Sequence, residues 1–168
     1  MTHLHLDENG ITSIGARLLA SIIGRCTSLR ELNLASNCIG NSGIVSLASD
    51  LPPSIEYLDL SGNSMSSPGA VAIANALPRL KPLRYLYLHE NYIENNGAKA
   101  LARALPKCKS LRLLQLQWNI FGNKAAIVLA DKLPKCKKLR LVDVSFCDYG
   151  DVGVAAFART LPLLPPKT

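Results

Sequence analysis

The chain has 168 residues, carries a net charge of +7 at pH 7, and is 48% hydrophobic but only 5% aromatic. That apolar content argues against disorder, no apolar run approaches the roughly 20 residues a membrane helix needs, and the first residues lack the basic-then-apolar pattern of a secretion signal. Five cysteines, an odd number, together with the lack of any N-x-S/T acceptor, point to reduced thiols and an intracellular, cytoplasmic protein.

In chain order, one pattern returns six times. Met1, Leu29, Ile55, Leu83, Leu111 and Leu139 each begin an L-x-x-L-x-L-x-x-N segment or a close variant, written most clearly as LRYLYLHEN over residues 83–91. The segments close on Asn9, Asn37, Asn63, Asn91 and Asn119, with Cys147 in the sixth place. Strand side chains alternate, so Leu4/Leu6, Leu32/Leu34, Leu58/Leu60, Leu86/Leu88, Leu114/Leu116 and Val142/Val144 are predicted to face inward. An asparagine at the following turn both donates and accepts, so it can satisfy backbone groups that the turn frees. Stacked asparagines would form a ladder, which Cys147 would complete only in part.

Ser13, Asn41, Ser67, Asn95, Asn123 and Asp151 come next, all residue types favoured at helix N-caps. A helix is expected after each, with an apolar face at i, i+1, i+4 spacing, as in Leu101, Ala102 and Leu105. One alanine column runs through all six: Ala20, Ala48, Ala74, Ala102, Ala130 and Ala158. Five helices are expected to stop at Leu-Pro, with Pro52, Pro78, Pro106, Pro134 and Pro162. Cys26, Cys108 and Cys136 lie three residues before a repeat's first leucine and are expected to be buried.

Units of 26–28 residues with this leucine and asparagine spacing resemble the ribonuclease-inhibitor-like class of leucine-rich repeats, over essentially the whole chain. The resemblance implies an α/β, right-handed solenoid: one domain over residues 1–168, six repeats, a parallel concave sheet and convex helices. The bare first strand and the proline-rich end suggest an excised part of a longer array, with Leu163 and Leu164 placed to fold over the last layer. Self-association through open repeat ends remains open. The class includes ribonuclease inhibitor, the repeat domains of NOD-like receptors and the Ran GTPase-activating protein, so it implies no single activity. Arginine, which the GTPase-activating relatives need in a strand-to-helix loop, is absent from all six such loops here. That counts against a GTPase-regulating role.

The outward strand positions suggest function. Tyr57, Tyr85, Tyr87, Leu113, Leu141 and the rim residues Trp118 and Phe146 are predicted to form one patch, with His89, Gln115 and Asp143 among them. A fold needs none of these on its surface, and aromatics are enriched at binding hot spots. The expected function is noncatalytic protein recognition through the concave sheet. The alternative is a basic rim of Arg84, Lys107, Lys109, Arg112, Lys135, Lys137, Lys138 and Arg140, holding an acidic protein tail or nucleic acid. The lack of a nucleic-acid-binding fold weighs against the latter. His3, His5 and Asp7 share a strand face but offer poor metal geometry, so no metal or other cofactor is expected. There is no phosphate loop or nucleophile motif, so the chain is not read as an enzyme.

Overall fold

The computed structural model describes residues 1–160, so the expected roles of Pro162, Leu163 and Leu164 lie outside the described residues. Each repeat contributes one short strand and one helix. The strands are β1 (His3–His5), β2 (Glu31–Asn33), β3 (Tyr57–Asp59), β4 (Tyr85–Tyr87), β5 (Leu113–Gln115) and β6 (Leu141–Asp143). The helices are α1 (Ser13–Ile23), α2 (Gly40–Asp50), α3 (Ser67–Ala76), α4 (Asn95–Ala104), α5 (Asn123–Lys132) and α6 (Asp151–Thr160). The strands form one open parallel sheet in chain order, in a register that aligns equivalent positions, such as Leu58 with Leu86 and Leu86 with Leu114. The predicted leucine set fills the core: Leu32, Leu34, Leu58, Leu60, Leu86, Leu88, Leu114 and Leu116 are buried. In the end layers Leu4, Leu6, Val142 and Val144 are only half-buried, and Leu18 and Ile22 on α1 stand 65% and 62% exposed.

The asparagine ladder is present. The amide of Asn91 donates to the carbonyls of Leu60, Leu88 and His89 at 3.0–3.2 Å. Its Oδ1 accepts from the backbone N–H of Asn63 and Met65 at 3.1 and 2.8 Å. Asn37 joins repeats one and two in the same way. Cys147 reproduces only the donor half, with Sγ 3.5 Å from the carbonyls of Leu116 and Ser145. The ladder breaks at Asn63, whose Oδ1 has no partner. There the second repeat enters α2 through a left-handed Gly40, and the Gly40 N–H bonds the Asn63 carbonyl instead.

Two expectations need correction. The polar column does not cap its own helices. Instead, Asn41, Ser67, Asn95 and Asn123 each cap the helix of the next repeat. Asn41 Oδ1 accepts from the N–H groups of Ser66 and Gly69, both at 3.0 Å. Asn95 does the same for Gly122 and Ala125, and Asn123 for Gly150 and Gly153. The free N–H groups that begin a helix are thus satisfied across the repeat boundary, which ties neighbouring repeats together. The second correction concerns proline at three of the expected stops; at the first, α2 does end at Asp50, directly before Leu51-Pro52. After α3, α4 and α5 the chain continues through 3-10 turns at Leu77–Arg79, Leu105–Lys107 and Leu133–Lys135, with the proline inside each turn. A first-turn proline loses no hydrogen bond, so it marks this tightening rather than a stop.

The shortest repeat has no such turn, since α2 ends at Asp50 and only four residues separate it from Ile55. Its last carbonyls are served from the next repeat: the Arg79 guanidinium donates to those of Ala48, Ser49 and Leu51. Close helix packing needs the small column before each apolar face. A Cβ on Gly97 would sit 2.8 Å from Ala70 Cβ, and one on Gly153 would sit 3.1 Å from Ala126 Cβ. Of the cysteines, Cys108 and Cys136 are buried as expected and Cys26 is half-buried. Burial, with Cys136 adding to it, pushes the Cys108 thiol up to about 12, and burial pushes Cys136 and Cys147 up to about 11.

Candidate functional site: the concave sheet and its two edges

The strand register lays side chains of the concave face in columns. Tyr57, Tyr85, Leu113 and Leu141 form one, while Asp59, Tyr87, Gln115 and Asp143 form the next. Ring contacts draw four of the predicted residues together. Tyr57 lies 6.3 Å from Tyr85 and 5.0 Å from Tyr87, and His89 stands edge-on to Tyr87 at 6.3 Å. Trp118 and Phe146 form a separate pair, stacked at 4.0 Å with planes 5° apart. Within the patch expected from sequence the aromatic rings therefore gather in two clusters, with Leu113 and Leu141 continuing the column from Tyr85. Leu113, Leu141 and Gln115 are at their predicted strand positions.

Asp59 underlies the tyrosine cluster and is 8% exposed. It accepts from the Ser61 N–H at 2.9 Å, the Ser61 hydroxyl at 2.6 Å and the Tyr57 hydroxyl at 3.3 Å. Burial first, then the Asp59 charge, holds the Tyr57 phenol well above its ordinary 10.0, and the same two causes raise Tyr87. Asp143 repeats the arrangement with Ser145, so its carboxylate is occupied within its own strand. In the next row His89 Nδ1 and Gln117 Oε1 are buried without a hydrogen-bond partner. The alternation of the sequence places Asp59 and Gln117 on this face; it carries no sign that their polar atoms are buried.

Trp118 and Phe146, the predicted rim residues, hold a backbone conformation that the sequence pattern did not signal. The residue closing each strand is left-handed: Glu8, Ser36, Glu90, Trp118 and Phe146 have φ between 52° and 57°, and Gly62 has 61°. A bulky side chain there costs about 1–2 kcal/mol relative to glycine. Backbone held in this region by a bulky residue clusters at functional sites. Trp118 is 54% and Phe146 67% exposed, so neither is placed there by core packing.

The two edges of the sheet differ in charge. At the strand-start edge, Glu56 pairs with Arg30 at 3.1 Å and Arg84 at 3.4 Å. Asp131 pairs with Lys132 at 2.6 Å and lies 3.9 Å from Lys135. Lys107, Lys109, Arg112, Lys137, Lys138 and Arg140 are exposed and in no ion pair among the described residues. Arg79, at the same edge, is taken up in capping α2. The other edge carries Glu90, Glu94, Asp148 and Asp151, all exposed, and Glu94 and Asp148 line one hollow with Asn95, Asn96 and Ile120.

At the first repeat His3 and His5 turn to one partner and Asp7 to another. Glu31 of β2 lies between the histidines, at 3.2 Å from His3 and 3.5 Å from His5, while Asp7 accepts from the Asn33 amide. Among the described residues no cluster has the makings of a metal site, and no helix is long and apolar enough to cross a membrane.

Comparison with known proteins adds the fold's relatives. The chain resembles the C-terminal domain of a Caenorhabditis elegans tropomodulin at a TM-score of 0.71 and 16% identity, covering 90% of this chain and 92% of that one. It resembles a structure described as leiomodin-1 actin-binding site 2 at a TM-score of 0.58 and 19% identity, covering 96% and 82%. A TDR receptor matches at a TM-score of 0.58 and 21% identity over 89% of this chain, which spans 23% of the receptor. Identities this low show the fold alone. Comparison with curated protein sequences returns no match. A family model for the leucine-rich repeat matches residues 1–20, 25–48, 52–74 and 135–158. Those segments cover more than half of the sequence, and the chain belongs to the leucine-rich-repeat family, in the ribonuclease-inhibitor-like form with a helix in every repeat.

Proposed function

We propose that this chain is a noncatalytic recognition module that holds a protein partner against the concave sheet. The observation that carries the reading is the aromatic surface itself. Three tyrosines and a Trp–Phe stack stand where the fold asks for no aromatic side chain, two of them in a backbone conformation that bulky residues avoid. Buried aromatic anchors contribute about 2 kcal/mol or more each at interfaces. A surface already held rigid by strands and ladder loses little entropy on binding. Five unpaired thiols fit a partner met in a reducing, intracellular compartment. Actin is the first defined partner to try, because leiomodin's similar domain is described as an actin-binding site.

A second reading rests on the exposed cations of the strand-start edge, which suit an acidic protein tail or a nucleic acid. Capture from cell extract separates the two readings. The bait is wild type or a Tyr85→Ala, Tyr87→Ala, Trp118→Ala variant, each at low and high salt. A partner lost with the variant supports the concave face, and one also kept at high salt owes little to exposed charge contacts, which weaken as salt rises. A partner kept by the variant but lost in salt moves recognition to the basic edge.

A further inference from the structure

The tyrosine column of the concave face continues into aliphatic residues, and an arginine precedes each of its last three members, Tyr85, Leu113 and Leu141. Tyr85, Leu113 and Leu141 are register partners on β4, β5 and β6. Arg84, Arg112 and Arg140 stand immediately before them, linked strand to strand by the Arg112 N–H on the Arg84 carbonyl and the Arg140 N–H on the Arg112 carbonyl, both 2.8 Å. Adjacent strands lie about 4.8 Å apart. The result is two columns crossing the strands side by side, one apolar and one of guanidinium groups.

Only the first of these arginines is neutralised. Glu56 serves Arg84 and Arg30. Arg112 and Arg140 are exposed, and among the described residues their side chains meet neither a carboxylate nor a carbonyl. Lys109 and Lys137 stand two residues before the buried Leu111 and half-buried Leu139, adding further positive charge to the same edge. Like charges at this spacing repel, and the leucine core closes without them. A face built this way is electrostatically complementary to an anion with an apolar side.

We infer that the partner presents an acidic peptide segment that crosses β4–β6, with apolar side chains on Tyr85, Leu113 and Leu141 and carboxylates on the unpaired Arg112 and Arg140. This rests on the concave-face reading and adds the partner's chemistry and orientation. Two observations favour a peptide over a nucleic acid. Sequence-tolerant nucleic-acid surfaces stack bases on aromatic rings, whereas two of the three apolar residues here are leucines. The opposite edge, with Glu90, Glu94, Asp148 and Asp151, repels a polyphosphate but tolerates a segment acidic on one flank only.

Fluorescence anisotropy with short labelled probes of equal length tests this. The probes are a mixed glutamate–leucine peptide, polyglutamate, a lysine–leucine peptide and oligothymidylate. The glutamate–leucine peptide is expected to bind at least about tenfold more tightly than the other three, a difference of about 1.4 kcal/mol. Arg112→Gln with Arg140→Gln should remove that advantage while leaving the thermal melt unchanged. The inference is overturned if oligothymidylate or polyglutamate binds equally well, if the glutamate–leucine peptide does not bind, or if the glutamine variant binds it as wild type does. Capture of the protein partner keeps this separate from the broader reading. A partner kept by the glutamine variant but lost with the Tyr85/Tyr87/Trp118 alanine variant overturns the inference alone. A partner kept by both overturns the concave face itself.

Discussion

Replacing Asn91 with alanine should cost about 4 kcal/mol. The residue is 3% exposed, and its amide makes five hydrogen bonds, three of which reach Leu60, Asn63 and Met65 of repeat three and two of which stay on Leu88 and His89 of its own repeat. Alanine leaves the N–H groups of Asn63 and Met65 buried and unpaired, and an orphaned buried donor costs about 1–3 kcal/mol. The carbonyls lose less, because that of Leu88 keeps the Asn119 amide at 3.0 Å. Asn91→Asp should be no milder than alanine, since it turns a carboxylate toward three carbonyl oxygens. Urea unfolding followed by far-ultraviolet circular dichroism reads the loss. Repeat arrays are held by nearest-neighbour interfaces, so a break here should also broaden or split the transition. A loss below about 1 kcal/mol, with a single sharp transition, would refute the claim that the amides hold the stack together.

Arg79→Met keeps the apolar stem but leaves the last carbonyls of α2 uncapped, and should cost about 1.5–3 kcal/mol by the same unfolding measurement; an unchanged midpoint contradicts the capping role. Trp118→Gly exchanges a stack of about 0.5–1.5 kcal/mol for relief of left-handed backbone strain of about 1–2 kcal/mol. Its Tm should stay near wild type while partner affinity falls; a large drop in Tm would make Trp118 a folding residue. Raising the pH should weaken the fold. Cys108, Cys136 and Cys147 sit above their ordinary 9.0 and Tyr57 and Tyr87 above their ordinary 10.0, all because burial disfavours the charged form. A group raised on folding leaves stability unaffected below its unfolded value and lowers it as pH climbs toward the folded one. Stability should therefore hold to about pH 9 and decline from there toward 11–12; a flat profile to pH 11 would contradict the burial of these groups.

The repeat, the inward leucines and the asparagine ladder were legible because each rests on a periodicity that a single sequence displays. The polar column was legible in its chemistry and not in its target. Asn41 and Asn95 are cap-type residues, but whether they serve their own helix or the next depends on helix spacing. That spacing is set by contacts such as Gly97 against Ala70, which sequence does not order in space. The capping role of Arg79 was not legible, because nothing local says that α2 lacks its closing turn. On the concave face the alternation placed Tyr57, Tyr85 and Tyr87 correctly. It gave no sign that Asp59 is buried beneath them, which depends on a ring folding over it, or that the backbone of Trp118 and Phe146 is left-handed, which only the turn geometry dictates.

The central claim is that partners dock on the concave sheet. A photo-crosslinking amino acid in place of Gln115, between the two aromatic clusters, tests it against one in place of Arg103, exposed on α4. On irradiation in cell extract, or with purified actin, the Gln115 position should give a covalent adduct and the Arg103 position none. Adducts from Arg103 with none from Gln115 would place recognition on the helices and contradict the account.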